Sequence, residues 1–423
     1  MDSISADRIW PPPPGERAVT KSQGVTPTEQ YLAKLAEETF LSLWSYPNVW
    51  RDKRPNGTQA GDGKELCDLL VIFDNHVIIF SDKHIEYKQH DIPAIAWNRW
   101  YNNCIRRIAD SLYGAEKWIR QYPTRIFLDP RCTKRIPVSM PHGGSLIVHR
   151  IAVARGAGTA CREHFAGGSG SLMVTPDIVG DAHFLRSSGP SNQQNTHETA
   201  FCGPFMVGQI DPSQGYIHVL DDISLDILMN TLDTVQDLTD YLIAKEKFIL
   251  SGHLVAATGE EDLLAYYLRH TDSAGKHQFT LPGNKSRIAI DSGYWDDFNK
   301  SPQRRAQIEA DKISYLWDDL IERFAFHALN DSQYMATDRG AAGTEPIVRY
   351  LAREPRLRRR LLTHAAAGMV SRARQTESGV LQVRIIEPSF PGNPYYVFLS
   401  LKRLTKLTYD EYRLSRRKCL EHI

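Results

Sequence analysis

No stretch of this 423-residue sequence reaches the roughly 18–20 consecutive apolar residues that a membrane-spanning helix needs. Its first twenty residues lack an apolar signal core; they carry charges and the proline run Trp10-Pro11-Pro12-Pro13-Pro14-Gly15. Cysteine is sparse. The six, at positions 67, 104, 132, 161, 202 and 419, form no CxxC pair, which argues against a zinc site and suits reduced thiols. Neither sign of charge prevails: 51 Lys and Arg stand against 50 Asp and Glu, a net charge of +1, so the whole-chain balance does not point to nucleic acid. No internal repeat is visible. Together these absences lead us to expect a cytoplasmic globular protein with no membrane contact.

The length implies two or three domains. Residues 1–24 read as a disordered, proline-rich leader. A helix starts at Thr26-Pro27-Thr28-Glu29, where Thr26 is a capping residue and Pro27 fits the first turn. Leu32, Leu35, Ala36, Phe40 and Leu43 continue it at helical spacing, and it runs out near Ser45-Tyr46-Pro47. Two apolar strands follow, Cys67 to Phe73 and His76 to Lys83, joined by a tight Asp74-Asn75 turn. Their near-continuous apolar character predicts that both faces are covered. An aromatic-rich helix is expected from about Ile92 to Ile119. The middle third reads as more β, with strands over 146–154, 171–175, 205–210 and 215–220, and a helix over about 224–248. A boundary near 251–259 divides a first module, 25–250, from a mainly helical α+β module, 251–423. The second module holds helices over 260–269, 303–329 and 345–368, strands over 380–386 and 395–401, and a basic helix from Tyr409.

The chemistry concentrates in Gly63-Lys64-Glu65-Leu66-Cys67-Asp68, the hairpin, and Ile79-Phe80-Ser81-Asp82-Lys83. Phosphodiester hydrolysis needs a metal that polarises phosphate and activates water, and a cation for the developing charge. An acid beginning one strand and a lysine ending its hairpin partner would meet at one end of a sheet. Alternation puts Ser81 and Lys83 on one face and Asp82 on the other. A plain Asp68–Lys83 ion pair is the bland alternative, set against the cost of placing charges in such apolar runs.

This arrangement resembles the PD-(D/E)xK, or restriction-endonuclease-like, nuclease superfamily, over roughly residues 26–120. The resemblance implies an α/β fold with a mixed sheet flanked by helices, an Mg²⁺- or Mn²⁺-dependent endonuclease, and DNA as substrate. Asp68 matches the metal-binding aspartate and Lys83 the lysine of the final motif. Asp82 takes the variable position whose backbone carbonyl joins the metal shell in such enzymes. Ser81 departs from the pattern, which calls for Asp or Glu. The second carboxylate would then come from elsewhere: Glu38 on the preceding helix, with Glu37, Glu65 and Asp82 as alternatives. The chain also resembles uncharacterised bacterial proteins that accompany antiphage defence genes. The competing expectation is a catalytically inactive nuclease fold serving as a scaffold or sensor subunit.

Other features have plain readings beside functional ones. His84 stands beside Lys83 as a proton carrier or a solvent-facing histidine. Trp97, Trp100 and Tyr101 have the spacing of core packing more than of a base-stacking surface. Arg99, Arg106 and Arg107 fit phosphate contacts or a solvated helix face. The glycines from Gly156 to Gly170 lack a GK[ST] ending and read as a flexible loop rather than a phosphate loop. From Glu345 to the end, sixteen Lys and Arg face seven Asp and Glu, with clusters at Arg356, Arg358, Arg359, Arg360 and at Arg413, Arg416, Arg417, Lys418. Such clusters fit a nucleic-acid backbone, an acidic partner protein, or a solvated face. A partner protein or a homo-oligomer is also compatible with the sequence.

Overall fold

The structure, a computed structural model, describes residues 19, 21–53, 63–141, 145–186, 202–330, 340–375, 380–390, 392–403 and 406–421. The chain opens with α1 (Pro27–Trp44), β1 (Ser45–Arg51), β2 (Lys64–Phe73) and β3 (His76–His84). Next come α2 (Pro93–Tyr101), a π-helical turn (Asn102–Arg106), α3 (Arg107–Gln121), β4 (Ile147–Arg155) and α4 (Gly158–His164). The middle holds β5 (Met173–Val179), β6 (Met206–Gln209), β7 (His218–Leu220), α5 (Asp222–Thr231) and α6 (Val235–Leu250). Then follow β8 (Leu254–Ala257), α7 (Glu260–Arg269), β9 (Ile288–Ile290), α8 (Tyr294–Lys300), α9 (Pro302–Asp311) and α10 (Tyr315–Leu329). The chain closes with α11 (Gly340–Ala352), α12 (Arg356–Gln375), β10 (Leu381–Ile386), β11 (Tyr396–Leu401) and α13 (Tyr409–Glu421).

This is a mixed α/β protein. Its main sheet has the order β1-β2-β3-β4-β7; the first three strands are antiparallel neighbours, and β4 and β7 join in parallel. A second sheet has the order β6-β5-β8-β9, and β10 pairs with β11 alone. Helices α1 and α5 cover one face of the main sheet and α3 the other. Both faces of β2 and β3 are therefore dry, as their apolar runs predict: Leu69, Leu70, Val71, Val77, Ile78, Ile79 and Phe80 are fully buried. Among the described residues, no helix is long and apolar enough to cross a membrane.

Local chemistry explains most element ends. Thr26 caps α1 through the Glu29 N–H (3.3 Å), and Asp74 takes the positive φ of 55° that the Asp74-Asn75 turn demands. The helix expected over 92–119 is broken by the π turn into α2 and α3. The one expected over 224–248 is broken at Leu232, and Thr234 caps the new start through the Asp237 N–H. The sequence reading missed β1, an edge strand that tolerates Pro47 because its outer side needs no partner. It also missed the three- and four-residue strands β8 and β9, and α4, which lies inside the stretch read as a flexible loop.

Two expectations about domains are revised. Residues 1–18 and 20 lie outside the described residues, but Val19 is buried, and Lys21 donates to the carbonyls of Ser42 (3.0 Å) and Ser45 (2.7 Å). The end of the supposed leader therefore belongs to the fold. The main core, Val19 to Leu362, draws on residues from both sides of the boundary expected near 251, and a second cluster, Tyr216 to Ile290, straddles it. Helix α1 shows why. At Leu41 its backbone turns to φ 64°, and Glu322 of α10 accepts the Ser42 N–H released there (2.6 Å). Asp74, at the tip of the β2–β3 hairpin, pairs with Arg349 (3.2 Å) and Arg353 of the α11 region.

Candidate active site

Leu69 pairs with Phe80 across the β2–β3 ladder, so these two share a face, and the Phe80 ring meets Phe40 of α1 (6.2 Å between centroids). Asp82, two residues on, lies on that face as well. Asp68 and Ser81, each one step away, lie on the opposite face with Lys83. The expected alternation of Ser81 and Lys83 against Asp82 is thus realised, and the register adds Asp68 to the Ser81–Lys83 face at one end of the main sheet.

The strands part at this end. The β2–β3 ladder stops at Leu69 and Phe80, and the Asp68 carboxylate takes the next N–H itself, accepting from Asp82 at 2.6 Å. The Ser81 side chain, on the same face, helps to lower the Asp68 carboxyl against the effect of burial. Lys83 stays fixed because β4 continues beside it, with Ala154 as its register partner. The π turn packs here as well: Cys104 Sγ donates to the Lys83 carbonyl (3.5 Å). π turns of this kind recur near functional sites.

Burial raises the Asp68 carboxyl to about 7; the Asp82 N–H opposes the rise, and the negative charges of Glu65 and Glu29 add to it. No ion pair joins Asp68 to Lys83 among the described residues. The two groups are therefore not spent on each other, and the plain ion-pair reading finds no support.

Asp82 is spent elsewhere. Its carboxylate binds Arg155 of β4 (2.8 Å), which also reaches Asp222 of α5 (3.0 Å). Burial raises the Asp82 carboxyl despite the Arg155 charge. Only its backbone faces Asp68.

The carboxylates proposed to replace the acid at Ser81 separate clearly. Glu37 is buried and paired with Lys21 (3.5 Å). Glu38 exerts its charge on Tyr31, whose hydroxyl bonds Asp226 of α5, and is not among the charges that act most on Asp68. Glu65 is. Counted along a regular strand, Glu65 and Asp68 would point to opposite faces. A bulge intervenes: Val49 pairs with Cys67 and Trp50 with Glu65, leaving Leu66 as the extra residue. The bulge cancels one step of alternation and brings Glu65 round to the Asp68 side.

The sequence reading missed two further participants. Asn48, at the positive φ of 46°, donates from Nδ2 to Glu65 (2.8 Å) and to Glu29 (3.0 Å). Glu29 was visible only as a helix-start acid, and it does accept the Val25 N–H (2.9 Å) in that capacity. Burial alone would raise its carboxyl, but hydrogen bonds from Asn48, Val25 and Thr26 hold it below the usual range.

Among the described residues, no three His, Cys, Asp or Glu side chains form a ready-made metal cage. What the site offers is a half-buried carboxylate that forms no ion pair among the described residues, with Glu65 acting on it from the same side. That donor set fits Mg²⁺, which takes one or two carboxylates and keeps several waters. Asp68 and Glu65 would hold it.

The remaining candidates have structural roles. Trp97, Trp100 and Tyr101 are buried, with Trp97 Nε1 donating to His183 O and Trp100 Nε1 to Ile85 O (both 2.8 Å). His84, Arg99, Arg106 and Arg107 are exposed, and Arg106 pairs with Asp181 (3.0 Å). The first basic cluster is largely consumed inside the protein. Arg356 binds Asp233 (2.8 Å) and Asp318 (2.9 Å), Arg359 binds Asp318 (2.6 Å), and Arg360 binds Asp311 (3.0 Å). In the second, Arg416, Arg417 and Lys418 are exposed, and the Arg413 side chain lies outside the described residues.

No family model, curated protein or solved structure matches this chain.

Proposed function

We propose that the protein is a metal-dependent nuclease of the PD-(D/E)xK type, cutting phosphodiester bonds of DNA. The observation that carries this reading is the shared face of Asp68, Ser81 and Lys83 where β2 and β3 part, with Asp68 half-buried and in no ion pair among the described residues. A central sheet with an antiparallel hairpin followed by parallel strands, and helices on both faces, supports the same assignment.

A divalent ion at Asp68 would supply the Lewis acidity that activates water and polarises phosphate. The chain's own contributions are distinct. Asp68 is pre-aimed by the Asp82 N–H. Glu65, turned by the bulge, takes the place of the acid missing at Ser81. Lys83 presents an ammonium group on that face to the attacking oxygen and the pentavalent phosphate. The assignment of DNA, and a place in antiphage defence, follow from the resemblance rather than the geometry.

Plasmid nicking with Mg²⁺ or Mn²⁺ tests the reading. Wild type should cut, and Lys83→Ala and Asp68→Asn should each lose at least about a hundredfold in rate. Equal inertness of all three across metals and across DNA and RNA substrates would overturn it. That outcome would favour the second reading, a catalytically silent nuclease fold used as a scaffold or sensor, for which Ser81 and the absent three-ligand cage speak.

A further inference from the structure

The β10–β11 hairpin has two unlike faces. Ile386, Tyr396 and Phe398 pack against the main core. The alternate residues face outward: Leu381, Val383 and Ile385 on β10, opposite Leu401, Leu399 and Val397 on β11, with Tyr395 continuing the row. Leu381, Val383, Ile385, Tyr395 and Val397 are 40%, 44%, 61%, 61% and 43% exposed. Within the paired strands no charged residue falls in this outward row; beyond them the exposed Glu387 follows Ile386. Arg384, the charged residue within β10, turns to the α12 side and donates to Ala365 O (3.4 Å).

We infer that this face is the contact surface for a second copy of the chain, packed hairpin on hairpin about a twofold axis. Exposed apolar patches of more than a few hundred Å² mark interaction sites. These five side chains alone expose on the order of 450 Å², so two copies would remove about 900 Å² of apolar surface. That area lies close to the roughly 1,000 Å² that a specific interface must clear, the size of a weak dimer contact. A twofold contact sets a patch against itself, which an uncharged face permits without like-charge repulsion. The ribbon's inner face already packs on α12 and the main core, so a second ribbon would cover the outer face alone.

The inference stands apart from the nuclease reading and is tested without it. Sedimentation velocity of the full chain from about 1 to 100 µM should show a dimer, and Val383→Lys combined with Ile385→Asp should give a monomer with an unchanged circular dichroism spectrum. If the double variant fails to fold, hydrogen exchange of the wild type decides: amides in 381–401 should gain protection as concentration rises. A wild type that stays monomeric at 100 µM, exchange there that ignores concentration, or a dimer that survives in a folded double variant would overturn the inference. So would open-ended polymers, or protection gained only from a different protein.

Discussion

At the residue scale, Asp68 combines a half-buried carboxyl with the lack of an ion pair among the described residues. Its pKa is raised from 3.8 to about 7, so between those values the folded protein holds a proton that the unfolded chain has released. Stability of the metal-free protein must therefore fall as pH rises from about 4 to 7, at up to about 1.4 kcal/mol per pH unit. Glu322 and Glu261, also raised to about 7, add slope of the same sign to that from Asp68. Asp68→Asn should therefore lessen the slope rather than abolish it and raise metal-free stability at pH 7 by on the order of 2–4 kcal/mol, as read by urea unfolding at pH 5 and pH 7. Metal binding must displace the same proton. Mn²⁺ affinity by calorimetry should climb about tenfold per pH unit below 7 and level off above, and an affinity flat across pH 5–7 would contradict the assignment. The choice of second carboxylate is checked the same way: Glu65→Gln should cost both metal affinity and cutting, whereas Glu38→Gln should leave both within about threefold of wild type.

At the element scale, irregularities in regular structure build the site. Parting of β2 from β3 frees the Asp82 N–H for Asp68, the bulge at Leu66 turns Glu65, and the π turn seats Cys104 against the Lys83 backbone. The break in α1 at Leu41 has a remote support in Glu322, whose carboxyl burial raises to about 7 even as Ser42 holds it. Glu322→Ala would leave the Ser42 N–H and hydroxyl without their partner, at a cost of about 1–3 kcal/mol. A lowered urea midpoint with an unchanged slope would verify this; a midpoint equal to wild type would refute it.

At the scale of the whole molecule, the C-terminal third is structurally joined to the first module. Glu322 bonds Ser42, Arg349 and Arg353 hold the β2–β3 turn, and Arg356 binds Asp233. A chain ending at residue 254 would keep the candidate site's own residues yet lose these contacts and part of the shared core. It should show a shallow, non-cooperative melt and loss of cutting. A sharp transition with retained or raised activity would instead mean that the C-terminal part is a detachable regulator. The arginines of α12 read differently in this light: Arg356 and Arg359 are buried ties, and the exposed α13 side chains are the better candidates for any salt-dependent DNA contact.

Periodicity alone made the hairpin, most helices, the α/β class and the common face of Ser81 and Lys83 legible, because alternation along a strand and 3.6-residue spacing are local rules; that Asp68 joins that face came from the β2–β3 register. The origin of the second carboxylate was not legible. It depends on a bulge defined by pairing with β1, an edge strand obscured by Pro47, and on an asparagine that joins two glutamates across the fold. The fate of the basic cluster and of the expected domain boundary was likewise tertiary. A run of arginines has the same sequence whether water or buried aspartates surround it, and only the packing of α12 against Asp233 and Asp318 decided between them.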